Sequence, residues 1–71
     1  MRPEWYIRLK NERDELADRL DALDRFLMDH KDGDPGVDHI DLLYAQAEVM
    51  NAYLRILDRR IACWQEEHNE I

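Results

Sequence analysis

The chain has 71 residues, one cysteine and a formal net charge of −7 at pH 7. That length allows one small domain, and a single cysteine excludes an internal disulfide and suits the reducing cytoplasm, while the negative charge argues against general nucleic-acid binding. No apolar leader opens the chain and no uncharged run exceeds six residues, so neither a secretory signal nor a membrane span is predicted.

A first helix is predicted over residues 3–29. Pro3 suits the first helical turn, and the charge of Glu4 complements the helix dipole there. Apolar residues then recur at alternating intervals of three and four, with Tyr6 and Arg13 filling the missing steps of the pattern. This narrow stripe predicts a coiled-coil-like seam made of Leu9, Leu16, Leu20, Leu23 and Leu27.

Residues 30–37 form the predicted turn. Gly33 can take the left-handed conformation that ends a helix, and Pro35 then prevents continuation. Asp38 is the predicted N-cap of a second helix, and Asp34 followed by Pro35 is an alternative start.

The second helix is predicted over residues 38–68 and carries two seams. The first seam comprises Ile40, Leu43, Ala47, Met50, Leu54, Leu57, Ile61 and Trp64. The second seam comprises Leu42, Gln46, Val49, Tyr53, Ile56, Arg60 and Cys63. Together they cover about 200° of the helical wheel, twice what one neighbouring helix can bury.

The predicted fold is all-α, a single antiparallel two-helix hairpin over residues 1–71. The short turn makes the helices neighbours, with Leu27 beside Ile40 and Tyr6 beside Ile61. The first helix covers only the first seam, so the second requires another chain. The simplest assembly is a two-fold dimer forming a four-helix bundle, and higher homo-oligomers remain open. The expected oligomer interface consists of Leu42, Val49, Tyr53, Ile56 and Cys63.

Folding back separates the charges. Asp29, Asp32, Asp34, Asp38 and Asp41 gather near the turn, whereas Arg2, Arg8, Lys10, Arg13, Arg55, Arg59 and Arg60 gather at the open end with four of the six aromatic residues. Arginine forks and aromatic faces suit a ligand that carries a phosphate and a base. Ordinary packing is the favoured alternative, because exposed ion pairs are common. In that case the arginines pair with Glu4, Glu12, Asp14, Asp58 and Glu66.

Arg13 and Arg60 are unusual because both fall within apolar seams, where a buried arginine requires a partner. Gln46, Tyr53 and Arg60 recur at seven-residue spacing and therefore share one face of the second helix. Two interpretations are open: a polar layer that sets the register of the oligomer, or a row of donors lining a pocket between subunits.

Metal binding and catalysis find little support. The three histidines, His30, His39 and His68, lack the spacing of a helical metal site. A calcium loop starting at Asp32 would need glutamate where Leu43 stands. The chain contains no serine or threonine, and a lone helical cysteine such as Cys63 is usually a packing residue. No metal, no cofactor and no enzymatic activity are expected.

Two groups of residues, one on each predicted helix, form a pattern that is more specific than spaced leucines. They are Tyr6-Ile7-Arg8-Leu9, Glu12, Glu15-Leu16, Arg19-Leu20, Leu23 and Phe26-Leu27, and Leu42-Leu43, Gln46, Met50, Tyr53-Leu54, Ile56-Leu57 and Arg60-Ile61. On these residues the chain resembles a family of short two-helix proteins from tailed phages and prophages. The similarity covers nearly the whole chain, except the Asp- and Gly-rich turn and the tail from Trp64 to Ile71. The resemblance implies an accessory phage protein, a class that often disarms host defences.

Three functions follow as hypotheses. The first is sequestration of a nucleotide-derived defence signal between subunits in the host cytoplasm, without chemistry. Its predicted ligand-binding residues are Arg60, Tyr53, Gln46, Tyr6, Arg8 and Arg13. The second is inhibition of a basic host protein, such as a nucleic-acid-guided nuclease, by acidic charge mimicry. The third is a purely structural oligomerisation module.

Overall fold

The computed structural model describes residues 2–29 and 36–68, and these residues form two α-helices. Helix α1 spans Glu4–Asp29 and helix α2 spans Val37–Glu67. No strand occurs within these two ranges, so the prediction of an all-helical chain with two helices is confirmed. The predictions for Gly33 and for an alternative start at Asp34–Pro35 lie outside the described residues.

The helix starts differ in how well the sequence predicts them. At the start of α1, the carbonyl of Pro3 accepts hydrogen bonds from the amides of Tyr6 and Ile7 at 3.1 and 3.3 Å. At the start of α2, the prediction of Asp38 as N-cap is wrong, because the helix begins at Val37 and Gly36 occupies the N-cap. Asp38 therefore lies within the first turn, where its charge still complements the helix dipole.

The helices pack side by side in antiparallel orientation, and their contact forms the core. Among the described residues, six side chains are buried: Tyr6, Leu9, Leu20, Leu27, Leu57 and Trp64. All six belong to the predicted stripe of α1 or to the first seam of α2. The ring of Tyr6 stacks on Trp64, one helical turn beyond the expected neighbour Ile61. The remaining first-seam residues are half-buried.

The hairpin is a thin rod rather than a compact domain. It measures 51 × 17 × 15 Å, and its radius of gyration is 16.0 Å, whereas a compact domain of this length would have about 11 Å. Its accessible surface is 5787 Å², about 1,100 Å² more than the roughly 4,700 Å² typical of a folded monomer of 8.6 kDa. The chain therefore leaves an unusual area uncovered.

Much of that area is the second seam, which faces away from α1. The exposed fractions are 69% for Leu42, 69% for Val49, 56% for Ile56 and 41% for Tyr53. Cys63 at the end of the seam is half-buried. Neither of the described helices is apolar enough over a sufficient length to cross a membrane. The predicted homo-oligomer remains a prediction.

Candidate ligand-binding face

The exposed face of α2 presents both apolar and polar groups. Gln46, Tyr53 and Arg60 are all exposed and lie in one row, because seven residues make nearly two full helical turns. The exposed apolar residues of the second seam alternate with them along the same face. In a single chain this row is open to solvent, so its members are available to a ligand or to another subunit.

Tyr53 connects this face to α1. Its hydroxyl donates a hydrogen bond to the carboxylate of Glu12 across the helix interface. That hydrogen bond raises the pKa of the Tyr53 phenol, because ionisation would remove the donated proton and place two negative charges together. The nearby positive charge of Arg60 acts in the opposite direction. The phenol is therefore a neutral donor at physiological pH.

Arg60 lies at the edge of a cleft at the open end of the hairpin. The cleft has a volume of about 270 Å³ and is lined by Trp5, Arg59, Arg60, Cys63, Trp64 and Glu67. Within the described part of the chain, Arg60 makes no ion pair, whereas Arg59 lies 4.0 Å from the carboxylate of Glu66. Two guanidinium groups and the half-exposed indole of Trp5 are groups that can bind an anionic, aromatic ligand. Trp64 is buried and forms the floor of the cleft, and the carboxylate of Glu67 is the one acidic group in its lining.

Arg13 lies on the opposite edge of the helix pair. Its guanidinium contacts Asp58 at 2.7 Å and Asp14 at 3.3 Å, and the hydrogen bond to Asp58 is the main reason that its pKa is raised. Glu12 and Arg13 point about 100° apart on α1, and their partners Tyr53 and Asp58 point about 140° apart on α2. The two contacts therefore flank the hairpin interface on opposite sides.

Arg8 and Tyr6 occupy different environments. Arg8 is exposed, and its guanidinium lies 2.7 Å from the carboxylate of Glu4. Because Arg8 lies one helical turn before Glu12, the partner of Tyr53, it lies beside the face that carries Tyr53. Tyr6 has no exposed surface; it is stacked on Trp64, and its hydroxyl accepts a hydrogen bond from Gln65 at 3.2 Å. Of the six predicted ligand residues, Gln46, Tyr53 and Arg60 lie exposed in one row that extends about 21 Å along α2, and Arg8 is exposed on α1. Tyr6 is buried and Arg13 lies on the other edge of the helix pair.

Several predicted ion pairs of the ordinary-packing alternative are present. Glu4, Asp14, Asp58 and Glu66 each pair with an arginine, as that alternative predicts. Glu12 differs, because it accepts its hydrogen bond from Tyr53. Those contacts occupy Arg8, Arg13 and Arg59 but not Arg60. Ion pairing among the described residues thus accounts for part of the arginine cluster and leaves the row on α2 unexplained.

Of the residues that line the open-end cleft, the sequence predicts only Arg60 as a ligand residue. Arg59 and Trp5 belong to the predicted cluster of basic and aromatic residues at the open end but not to the predicted ligand set, and Glu67 belongs to neither. Trp5 precedes the buried Tyr6, and about half of its surface is exposed. It lies one residue off the α1 stripe, so apolar periodicity alone assigns it to the solvent side. Trp5 comes close to Arg60 only because of the register in which α1 and α2 pack, which periodicity does not specify. The signal in the sequence is a tryptophan directly beside an apolar stripe, at a position where a polar residue is expected.

A second, larger cleft lies nearer the turn. It has a volume of about 520 Å³ and is lined by Leu20, Asp24, Asp41, Tyr44, Ala45, Ala47, Glu48 and Asn51. Its charged groups are all carboxylates, so it does not suit a phosphate. Over residues 2–29 and 36–68, no group of three or more histidine, cysteine or acidic side chains is arranged to hold a metal ion.

Comparisons with known proteins identify a family. Neither the comparison with curated proteins nor the comparison with solved structures gave a match. A family model described as Sequestin matches residues 3–63, which include nearly all of both helices. The name is compatible with a role in sequestering a ligand. Because the match covers most of the sequence, the chain belongs to the Sequestin family.

Proposed function

We propose that this protein is a non-enzymatic accessory protein of phage type that counters host defence by binding a nucleotide-derived signalling molecule between its subunits. It acts in the host cytoplasm by lowering the free concentration of the signal. The bound molecule is withheld from its receptor and is released unchanged.

The exposed row of Gln46, Tyr53 and Arg60 is the observation that carries the proposal. These donors stand on a face that is otherwise apolar, and Arg60 has no ion-pair partner among the described residues. An arginine in such a place gains most from an anionic ligand, because a phosphate offers two oxygens to its planar fork. Membership of a family whose name fits ligand sequestration supports the same function.

The surrounding groups supply the rest of a nucleotide site. Trp5 and Tyr53 offer aromatic surfaces on which a base can stack, and Leu42, Val49 and Ile56 can exclude water once another subunit covers them. The neutral Tyr53 hydroxyl and the Gln46 amide add hydrogen bonds. The chain has no serine or threonine to act as a nucleophile, which supports binding without turnover.

The direct test is a thermal-shift screen of cyclic and linear nucleotide signals, followed by calorimetry on any that bind. A ligand that binds the folded protein raises its melting temperature in proportion to the logarithm of ligand concentration over Kd. Chromatography of the ligand after denaturing the complex should recover it chemically intact. Recovery of a converted product would show turnover and contradict sequestration.

Arg60→Ala is the decisive variant, and Arg25→Ala is its matched control. Both remove one exposed arginine from a helix, but Arg25 lies near the turn and pairs with Asp21 at 2.9 Å. Loss of a charge-assisted hydrogen bond of about 1.5–3 kcal/mol should weaken binding about 10- to 100-fold for Arg60→Ala. Arg25→Ala should bind like the unaltered protein. Equal binding by both variants would remove Arg60 from the site.

One observation favours a second function, inhibition of a basic host protein. Residues 14–29 and 36–48, which form the half of the hairpin near the turn, carry nine carboxylates and two arginines, a net charge of −7. Such a surface can mimic the phosphate charge of a nucleic acid. This function requires salt-sensitive binding to a basic nucleic-acid-binding protein, weakened by Asp38→Asn with Asp41→Asn. If neither a nucleotide nor such a protein binds, a structural oligomerisation module is the remaining function.

A further inference from the structure

The second seam has the same polar and apolar pattern when read in either direction. Gln46 and Arg60 lie seven residues before and after Tyr53, so the three polar members are symmetric about the tyrosine. The apolar members follow the same symmetry within one residue: Val49 corresponds to Ile56, and Leu42 corresponds to Cys63. A pattern of this kind matches itself when a second copy is laid on it in reverse.

Tyr53 also lies close to the middle of α2, which spans Val37–Glu67. Two copies related by a two-fold axis at Tyr53 would therefore overlap along almost the full length of the helix. The hairpin exposes about 1,100 Å² more surface than a compact monomer of its mass, and a standard protein interface covers about 800 Å² on each partner. The uncovered area is thus sufficient for a stable dimer.

The charge distribution selects the orientation of the second copy. The half near the turn carries a net charge of −7, whereas residues 2–13 and 49–68 carry seven basic and five acidic side chains, a net charge of +2. A parallel dimer would place the two strongly acidic halves together and Arg60 opposite the partner's Arg60. An antiparallel dimer places each acidic half against the basic half of its partner, which electrostatics favours.

From the symmetric pattern, the central position of Tyr53, the uncovered area and the charge distribution, we propose that the second seam binds a second copy of this chain in antiparallel orientation, with the two-fold axis at Tyr53. Val49 then packs on the partner's Ile56, and Leu42 packs on the partner's Cys63. The two tyrosines meet at the axis. The outcome is a four-helix bundle whose central layer is formed by α2 and its symmetry mate.

This arrangement also specifies the ligand site, an extension that rests on the proposed function. Gln46 faces the partner's Arg60 on one side of the axis, and Arg60 faces the partner's Gln46 on the other side. Each polar compartment therefore takes residues from both subunits and is incomplete in the monomer. The dimer has two equivalent compartments, so the expected stoichiometry is one ligand per chain.

Cysteine cross-linking of the full chain tests the orientation without any ligand. The variant Leu42→Cys keeps Cys63, and it should form disulfide-linked dimers under mild oxidation because the two positions face each other. The double variant Leu42→Cys, Cys63→Ser should form none. Efficient cross-linking of the double variant would require Leu42 to face its own copy and would overturn the antiparallel arrangement.

A distance measurement gives an independent readout. A spin label at Asp41→Cys in the Cys63→Ser background lies twelve residues from Tyr53, so its copies should be separated by about 36 Å along the bundle. A parallel dimer with helices about 8–10 Å apart would bring the labels to within about 25 Å. The short distance would overturn the proposal.

Sedimentation supplies the remaining control. Val49→Asp and Ile56→Asp should convert the dimer to helical monomers, whereas Met28→Asp, at an exposed apolar residue of α1, should leave the dimer unchanged. A larger assembly that still yields the Leu42→Cys cross-link to Cys63 retains this pairing. If the unaltered protein is monomeric at a concentration of about 100 μM, the proposed dimer is wrong. If the protein is a dimer but binds no nucleotide, only the proposed ligand compartments are wrong.

Discussion

The rings of Tyr6 and Trp64 stack with centroids 4.1 Å apart and planes inclined by 24°, and this contact closes the open end of the hairpin. Trp64 also stacks on His68, one helical turn further along, with ring centroids 4.1 Å apart. The aromatic column thus links the start of α1 to the last turn of α2. Its position beside the open-end cleft means that the stability of the fold and the shape of the candidate site depend on the same tryptophan.

Trp64→Ala should therefore lower the free energy of unfolding by about 3–5 kcal/mol, the range for removing a buried aromatic side chain. Trp5→Ala is the matched control, since Trp5 is about half exposed and contacts Tyr6 only edge-on at 6.2 Å. Trp5→Ala should lower the free energy of unfolding by about 0.5–1.5 kcal/mol. Urea unfolding at fixed protein concentration measures both, and equal losses would show that the stack contributes no more than the exposed contact.

The Arg13–Asp58 ion pair should have only a modest coupling energy. The side chains are 35% and 49% exposed, so water and salt screen the attraction. A double-mutant cycle with Arg13→Ala and Asp58→Ala should give about 0.5–1 kcal/mol at low salt, and less in 1 M NaCl. The same cycle on Arg25 and Asp21 is a within-helix reference of about 0.3–0.5 kcal/mol. A coupling energy that does not change with salt would contradict an ion pair that is exposed to solvent.

Tyr53 should ionise at higher pH than an ordinary tyrosine, because its hydroxyl donates to the Glu12 carboxylate. Because the pKa of Tyr53 is raised in the folded state, the hydrogen bond contributes fully to stability below the ordinary tyrosine pKa of about 10. This contribution is lost as the pH rises through the raised pKa. The difference in ultraviolet absorbance between the unaltered protein and Tyr53→Phe isolates this titration. Glu12→Gln should shift it to lower pH, and an unchanged titration would exclude the hydrogen bond as the cause.

Gly36→Ser should stabilise the protein. Gly36 is the N-cap of α2 with φ −59° and ψ 162°, a conformation open to any residue, and a Cβ there would meet no atom within 4 Å. Serine restricts the unfolded chain and adds a side-chain cap, together about 0.5–1 kcal/mol. Gly36→Ala provides only the first effect and should gain less. Thermal unfolding shows whether the serine variant is more stable than the alanine variant. If the two variants are equally stable, the serine side chain forms no cap.

The amino-acid sequence determined which residues form the two helices and which side chains share a helix face. Pro3, the segment with Gly33, Pro35 and Gly36, and the spacing of leucines predict two helices close to their observed bounds, because helix formation depends mostly on local backbone and side-chain preferences. The same spacing predicts that the second seam is left uncovered. Asp38 shows the limit of this reasoning, since the cap depends on where the chain leaves the turn, and Gly36 takes that place.

The tertiary structure decided which side chains meet across the hairpin. Periodicity places Tyr6, Arg13 and Tyr53 on helix faces, but a rotation of one helix by a few tens of degrees, or a shift by one turn, leaves the periodicity unchanged and alters every partner. The contacts of Tyr6 with Trp64, Arg13 with Asp58 and Tyr53 with Glu12 therefore could not be derived from spacing alone. Those contacts withdraw Tyr6 and Arg13 from the candidate face and leave Arg60 on it, because only packing in three dimensions distinguishes the two edges of a helix pair.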